Sequence, residues 1–440
     1  MTAPRELEGT NAITPQVIPA QTPASGDAVP LKMLLLASLG GALEFYDFVV
    51  FVFFTTAIQT LFFAPTSPEW VRLAQTYGLF AAGYFARPVG GILMAHYGDT
   101  QGRKRVFTFS VLLMALPTLL IGCLPVYKTI GAAAPLLLLL LRLMQGAAIG
   151  GEAPGAWVYA SEHVRRGRTG LAIGLLTGGL CLGILLGSLM AAGVGAVFTP
   201  HAVLAWAWRI PFVSGGVLGL GAMQLRRQLA ETPVFLEMQR QAALSRRAPV
   251  AVLLRGNGPA IIASVAVTWT LTAAIVAVIL LTPTLLPKLL GLPPAAVRTA
   301  SLAATAALCI SNVLIGMAAD RFGLRRVAVP ALLFLVASTY ALYAGAALFP
   351  SALLPLFVLA GVGAGCSVLT PLLLVRAFPA AIRFTGVSFT YNLAYALFGG
   401  LTPPLVLWLA HGSRLGPAHY VAAASLAGLC AMLMPHSENS

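Results

Sequence analysis

The sequence predicts an all-α membrane protein built from two similar six-helix bundles. Three observations carry this prediction. Of 440 residues, 58% are hydrophobic and 9% charged, whereas a soluble domain carries about 25% charged residues. Apolar runs long enough to cross a bilayer, ~20 residues each, recur along the chain. One short basic loop also appears twice, at matching places in the two halves. It reads Gly98-Asp99-Thr100-Gln101-Gly102-Arg103-Lys104-Arg105 in the first half and Asp320-Arg321-Phe322-Gly323-Leu324-Arg325-Arg326 in the second.

Twelve apolar runs can be counted. They fall at about 32–58, 72–97, 106–124, 134–160, 169–198 and 208–225 in the first half. In the second half they fall at about 258–286, 297–318, 327–348, 352–374, 386–410 and 419–434. Their length and their Leu and Ala content favour helices over strands. Residues 1–30 are rich in Pro, Thr and Ala and lack the basic-then-apolar order of a signal peptide. They read as a disordered cytoplasmic tail. Residues 31–225 are expected to form the N-terminal bundle, 226–256 a cytoplasmic linker and 257–440 the C-terminal bundle.

The net charge of +14 does not point to nucleic acid, because the basic residues are dispersed over short loops. With the N-terminus inside, nineteen Lys and Arg fall in cytoplasmic segments and six in external ones. The remaining two, Arg87 and Arg142, lie within or at the edge of spans. This asymmetry predicts a multi-pass protein with both termini cytoplasmic. The five cysteines lie in apolar stretches without metal-ligand spacing. There is no phosphate-binding loop and no nucleophile constellation, so no enzyme chemistry and no cofactor are expected.

Three carboxylates sit inside the spans: Glu44 and Asp47 on the first helix and Glu152 on the fourth. A central carboxylate costs about 2.5–3.5 kcal/mol on insertion, so such groups face a cavity or a partner. Glu44 and Asp47 are three residues apart and share a helical face. Two close carboxylates in a poorly hydrated site resist double ionisation, so one is expected to hold a proton at neutral pH. These three are the proton-coupling candidates. The plain alternative for each is a group that only fixes helix packing.

Arg142 is the clearest buried cation. It needs a counter-ion, and Asp47 is the expected one. A proton loaded on Asp47 would free Arg142 for an anionic solute. Gln145 and Tyr46 join it as binding candidates. The second half holds no intramembrane acid. It offers Thr268, Trp269 and Thr272 on helix seven, Ser367 and Thr370 on helix ten, and Tyr391 and Asn392 on helix eleven. A wall of hydroxyls and an aromatic ring suits a small organic solute. Each hydroxyl alone can instead be bonded to its own backbone. On helix five, Gly170, Gly174, Gly178, Gly179, Gly183 and Gly187 allow close backbone approach and a sliding surface.

The two basic loops resemble the hallmark loop of the major facilitator superfamily. Arg142-Leu143-Met144-Gln145-Gly146 resembles its helix-four pattern. Further segments resemble one branch, the metabolite:proton symporters. They are Gly41 to Phe48 with Glu44-Phe45-Tyr46-Asp47, Arg87-Pro88-Val89-Gly90-Gly91, Gly150-Gly151-Glu152, Trp208-Arg209-Ile210-Pro211-Phe212, Glu231-Thr232-Pro233, and Pro379 to Gly386 running on to Tyr391-Asn392. The match spans about residues 35–405 in one order. The chain departs from the pattern at Thr100, where the first loop usually carries Arg.

This resemblance implies a major facilitator fold in the bacterial inner membrane and proton-driven uptake of a small carboxylate by alternating access. It implies partners limited to that solute, protons and lipid, a monomer, and no cofactor beyond the proton gradient. Arg87, Asp99, Arg103, Lys104, Asp320, Arg321 and Arg325 are expected to form the inner gate. The alternatives are a proline or betaine zwitterion symporter, a proton-antiport exporter, and a non-transporting membrane receptor on the same fold.

Overall fold

The computed structural model describes residues 31–101, 103–164, 167–226, 253–254 and 256–434. The expected tail at 1–30 and nearly all of the expected linker at 226–256 lie outside the described residues. The described chain is helical throughout, in two six-helix bundles. In the first, α1 is Leu31–Phe53, α2 Glu69–Gln101, α3 Arg103–Cys123, α4 Ala133–His163, α5 Thr169–Val197 and α6 Arg209–Arg226. In the second, α7 is Gly258–Leu290, α8 Pro294–Phe322, α9 Leu324–Leu348, α10 Pro350–Ala377, α11 Arg383–Gly412 and α12 Gly416–Leu433. Among the described residues nine helices are long and apolar enough to span a membrane, and eleven if each bent pair is one span. The remaining segment is the shorter apolar stretch Phe109–Cys123 of α3. The total is consistent with the twelve runs read from the sequence.

The two bent pairs have local causes. After Phe53 the chain turns by 62° into the short helix Thr55–Leu61. Thr55 donates its hydroxyl to the Val52 carbonyl at 2.6 Å, and this bond competes with the helical ladder at the break. Before α6 a short helical segment, Pro200–Ala207, meets it at 45°. Thr199 caps that segment by accepting from the Ala202 amide, and Pro200 opens it, where no N–H is needed.

The basic loops are shorter than expected. α2 continues to Gln101 and α3 starts at Arg103, so most of the anticipated loop at 98–105 is helical. In the second half, Asp320, Arg321 and Phe322 belong to α8, and Arg325 already belongs to α9. The corner is the single residue Gly323, whose φ of +89° is open to glycine and costly for other residues.

Large apolar residues cover the outside. Phe85, Val89, Leu93, Leu136, Leu140, Leu333 and Trp408 are all exposed. Charged and amide groups lie within: Glu44, Asp47, Arg87, Arg142, Gln145, Glu152 and Asn392 are each 3% exposed or less. That inversion is what a lipid surround requires.

Glycine sets the close crossings. A Cβ at Gly146 of α4 would overlap the Gly83 carbonyl of α2, and one at Gly150 would overlap the Arg87 carbonyl. The glycines of α5 serve two neighbours. Gly179 and Gly183 face Ser38 and Ala42 of α1, while Gly170, Gly174 and Gly178 face Gly316, Asn312 and Cys309 of α8 in the other bundle. The single stripe read from the sequence is thus two stripes with different partners.

Gly146→Val is expected to lower the melting temperature in detergent, because an overpacked crossing costs about 1–3 kcal/mol. Gly193→Ala is the control, since a Cβ there meets nothing within 4 Å. An unchanged melting temperature for Gly146→Val would show that α2 and α4 can separate freely.

Candidate functional site

α4 carries Arg142 as its tenth residue, fully buried. Three phenylalanine rings enclose the guanidinium. Its Cζ lies 4.5 Å from the centroid of Phe48, 4.3 Å from Phe51 and 5.8 Å from Phe80. Phe48 and Phe51 are one turn apart on α1, and Phe80 comes from α2. The Nη1 atom donates to Gln145 Oε1 at 2.8 Å and more weakly to the Phe48 carbonyl at 3.4 Å. Nε and Nη2 have no hydrogen-bond partner. The ring faces attract the cation but do not neutralise it. Two buried donor nitrogens therefore remain available to an anion.

Asp47 is not the direct counter-ion expected from the sequence. Among the described contacts, no ion pair joins Asp47 to Arg142. The carboxylate instead lies against Gly215 and Gly219 of α6 and within reach of the Thr118 hydroxyl of α3. The two groups are joined by a relay: Arg142 donates to Gln145, and Gln145 Nε2 donates to Thr118 Oγ1 at 2.7 Å. The Thr118 hydroxyl can donate onward to the Met114 carbonyl at 2.9 Å or to Asp47. Asp47 Oδ1 is buried without a partner. Sequence reasoning missed Thr118 because a lone threonine in an apolar run carries no signal. Glu44 is buried one turn earlier on α1. Glu152 accepts from Ser110 Oγ of α3 at 2.6 Å.

Arg87 lies 11 residues before Gly98, about three turns from the corner. It is buried where the two bundles meet. Its Cζ is 4.2 Å from the Tyr395 ring, 5.2 Å from Tyr391 and 5.6 Å from Tyr84. Nε donates to Asn392 Oδ1 at 3.2 Å, and Nη2 has no partner. Asn392 in turn donates to the Gly150 carbonyl of α4 at 2.5 Å, and Ser388 donates to the same carbonyl at 3.2 Å. Tyr391 is edge-on to Trp157 of α4 at 4.9 Å. Of the rings of this cage only Tyr391 was a candidate from the sequence; Tyr84, Trp157 and Tyr395 were not singled out.

The remaining binding candidates are engaged elsewhere. Tyr46 donates to the Pro211 carbonyl of α6 at 2.9 Å. Thr268 and Thr272 each donate to their own helix, to Ser264 and Thr268 carbonyls. Thr370 donates to the Val267 carbonyl of α7 at 3.1 Å. Ser367 donates to Asn312 Oδ1 at 3.0 Å. Trp269 stacks on Phe398 with centroids 4.6 Å apart and donates to the Tyr420 hydroxyl. These contacts hold the second bundle together. The expected wall of free hydroxyls is not what they form, because Thr268, Thr272 and Thr370 donate to backbone carbonyls and Ser367 to an amide oxygen.

At the end carrying the basic corners, Asp320 crosses between bundles. Its two carboxylate oxygens accept from the Gly170 and Leu171 amides at 2.6 and 2.8 Å. These are free N–H groups of the first turn of α5, where the helix dipole favours an anion. Arg383 of α11 pairs with Glu162 of α4 at 3.2 Å. Arg325 donates to the Met434 carbonyl, and Arg321 lies over the Phe322 ring. The side chains of Asp99, Thr100, Arg103 and Lys104 lie outside the described residues. Among the described residues no cluster of His, Cys, Asp and Glu could hold a metal.

Comparison with known proteins agrees with this architecture. Residues 33–281 match the family described as sugar (and other) transporter. A citrate-proton symporter of Klebsiella pneumoniae is 33% identical over 427 residues, covering 94% of this chain and 93% of that protein. A provisionally named proline/betaine transporter of Staphylococcus haemolyticus is 31% identical over 417 residues, covering 92% and 87%. The chain belongs to the major facilitator superfamily. Within the superfamily it falls with the metabolite:proton symporters. In fold it is similar to the proton:xylose symporter XylE bound to 6-bromo-6-deoxy-D-glucose, with TM-score 0.75 at 17% identity, covering 92% of this chain and 94% of that one. It is also similar to the transporter FucP in the outward conformation, with TM-score 0.68 at 14% identity, covering 92% and 98%. The protein is a proton-coupled transporter of this superfamily.

Asp320→Ala removes both bonds to α5 and is expected to loosen the closed end by about 1–2 kcal/mol, the size of a lost helix cap. A cysteine at buried Ala319, in a background with the five native cysteines replaced, is the reporter. Thiol labelling at Ala319→Cys should rise several-fold with Asp320→Ala. Unchanged labelling would mean that Asp320 does not hold this end shut.

Proposed function

We propose that the protein imports a small organic carboxylate together with protons across the bacterial inner membrane by alternating access. The observation that carries this reading is Arg142: a buried guanidinium in an apolar cage, with Nε and Nη2 unpartnered and a relay leading to Asp47. A cation at this depth calls for one negative charge nearby. Either an ionised Asp47 supplies it through the relay or a bound carboxylate supplies it directly. A proton on Asp47 removes the first option and so favours the second. The solute and the proton therefore enter the site together. Thr118 can serve both states, because a hydroxyl rotates to donate to an ionised Asp47 or to accept from a protonated one.

The corner end carrying Asp320 is the cytoplasmic gate in this reading. Both termini then lie in the cytoplasm, as the dispersion of Lys and Arg favours. The two bundles, 31–225 and 257–440, rock about the site as the linker at 226–256 joins them. Glu44 and Glu152 assist proton movement within the first bundle. The transporter works as a monomer, without a cofactor, on the proton gradient. A carboxylate fits better than a zwitterion, because the quaternary cation of a betaine would meet two buried arginines. Uptake driven by an inward proton gradient in proteoliposomes tests the reading. Efflux under the same gradient would make the protein an exporter, and solute binding without movement would make it a receptor.

Asp47→Asn is expected to abolish uphill accumulation while sparing exchange of the solute down its own gradient. Accumulation at the unmutated level would remove Asp47 from the coupling. Arg142→Gln should weaken carboxylate binding by about 10- to 100-fold, the value of hydrogen bonds to a charged group. Arg142→Lys should recover only part, since an ammonium cannot make the planar two-toothed contact. Unaltered affinity in Arg142→Gln would leave Arg142 a packing residue.

A further inference from the structure

Arg142 and Arg87 share one aromatic wall. Tyr84 meets Phe48 edge-on at 5.2 Å and Phe80 at 4.9 Å, and both of those rings enclose Arg142. On its other side Tyr84 stacks on Tyr395 at 5.8 Å, and Tyr395 is the ring nearest Arg87. The backbone of α2 brings the two arginines into one neighbourhood. The Arg142 Nη2 atom sits 3.3 Å from where a Cβ of Gly83 would stand. Gly83 is one turn before Arg87 on α2, a rise of about 6 Å. Each guanidinium is at least 99% buried, each has an unpartnered Nη2, and among the described residues neither is ion-paired. The Trp157 indole N–H, beside the Arg87 cage, is also buried without a partner.

A single carboxylate on Arg142, or Asp47 through its relay, still leaves Arg87 without an ion pair among the described residues. Ring faces and the Asn392 amide oxygen leave the Arg87 charge intact, and a partly paired buried cation is costly. We propose that Arg87 is the second anion ligand of the substrate site, so that the transported acid carries at least two carboxylates, one for each guanidinium. This rests on the carboxylate reading above. Arg142 Nη2 lies beside Gly83, one helical turn from Arg87 along α2, so short diacids are the first probes. The second carboxylate also reaches the tie between bundles. Arg87 holds Asn392 of α11, and Asn392 holds α4. A carboxylate on Arg87 Nη2 thus sits at the contact that must open and close, whereas a monoacid on Arg142 alone contacts only the first bundle.

Binding constants for matched acids in purified, detergent-solubilised protein test the proposal. The probes are pairs with equal carbon number, succinate with butyrate and glutarate with valerate, together with citrate and glycine betaine. The unmutated protein should bind at least one diacid or triacid about 10-fold or more tightly than its matched monoacid, as expected for one further charged contact. Arg87→Gln should remove most of that ratio, and Arg87→Lys should restore part of it. Unliganded melting temperature and gel-filtration profile identify variants that fold. If Arg87→Gln does not fold, the ratio in the unmutated protein and in Arg87→Lys decides. Equal affinity for diacids and monoacids in the unmutated protein overturns the proposal, and so does a ratio untouched in a folded Arg87→Gln. Binding of glycine betaine with no affinity for any acid would instead overturn the carboxylate reading itself.

Discussion

The arrangement of the first bundle follows from having to bury a guanidinium at membrane depth. Arg142 cannot shed its proton, and lipid offers nothing to solvate it. Three phenylalanines, Gln145 and the Phe48 carbonyl supply part of what water would have supplied. To bring those groups together, α1, α2 and α4 must lie close, and the glycines at 83 and 146 permit the approach. Gln145 then orients Thr118, and Thr118 brings α3 and Asp47 into the same network. Weakening the cage would change several helix contacts at once.

The second bundle has a different role. Several of its polar side chains are bonded within the bundle: Thr370 to α7, Ser367 to Asn312 and Trp269 to Tyr420. It contributes to the site through one helix, α11, whose Tyr391, Asn392 and Tyr395 surround Arg87. Titratable chemistry is concentrated in one half and a rigid aromatic surface in the other. In the proposed alternating-access cycle, motion of the two halves changes the surroundings of Arg87 and leaves the relay from Arg142 to Asp47 within one bundle.

Much of this was legible in the residues. The apolar runs and the duplicated basic segment pointed to the fold, and the buried charges on helices one, two and four pointed to the site. Composition and period report burial well. Partners were harder to read. Asp47 and Arg142 look like a pair because opposite charges at similar depth attract. Their directions around α1 and α4 differ, and an amide and a hydroxyl fill the gap. The hydroxyls of Thr268 and Thr272 share a face, as their spacing says, yet they bond along α7. Spacing places a residue on a face; it does not say which acceptor that face meets. The caging role of Tyr84 was similarly hidden, because an aromatic residue in an apolar run reads as ordinary packing.

The two-sided glycine pattern of α5 separates two properties of the transporter. Along the stripe at 170, 174 and 178, α8 rests on bare backbone with few interlocking side chains. A smooth contact of that kind resists sliding little, so the ends and the centre control the movement. In the function proposed above, Asp320 against the first turn of α5 sets how readily one end parts, and the aromatic wall around the arginines sets what is carried. On that proposal, turnover speed and solute preference belong to different residues. Either can drift through mutation without disturbing the other.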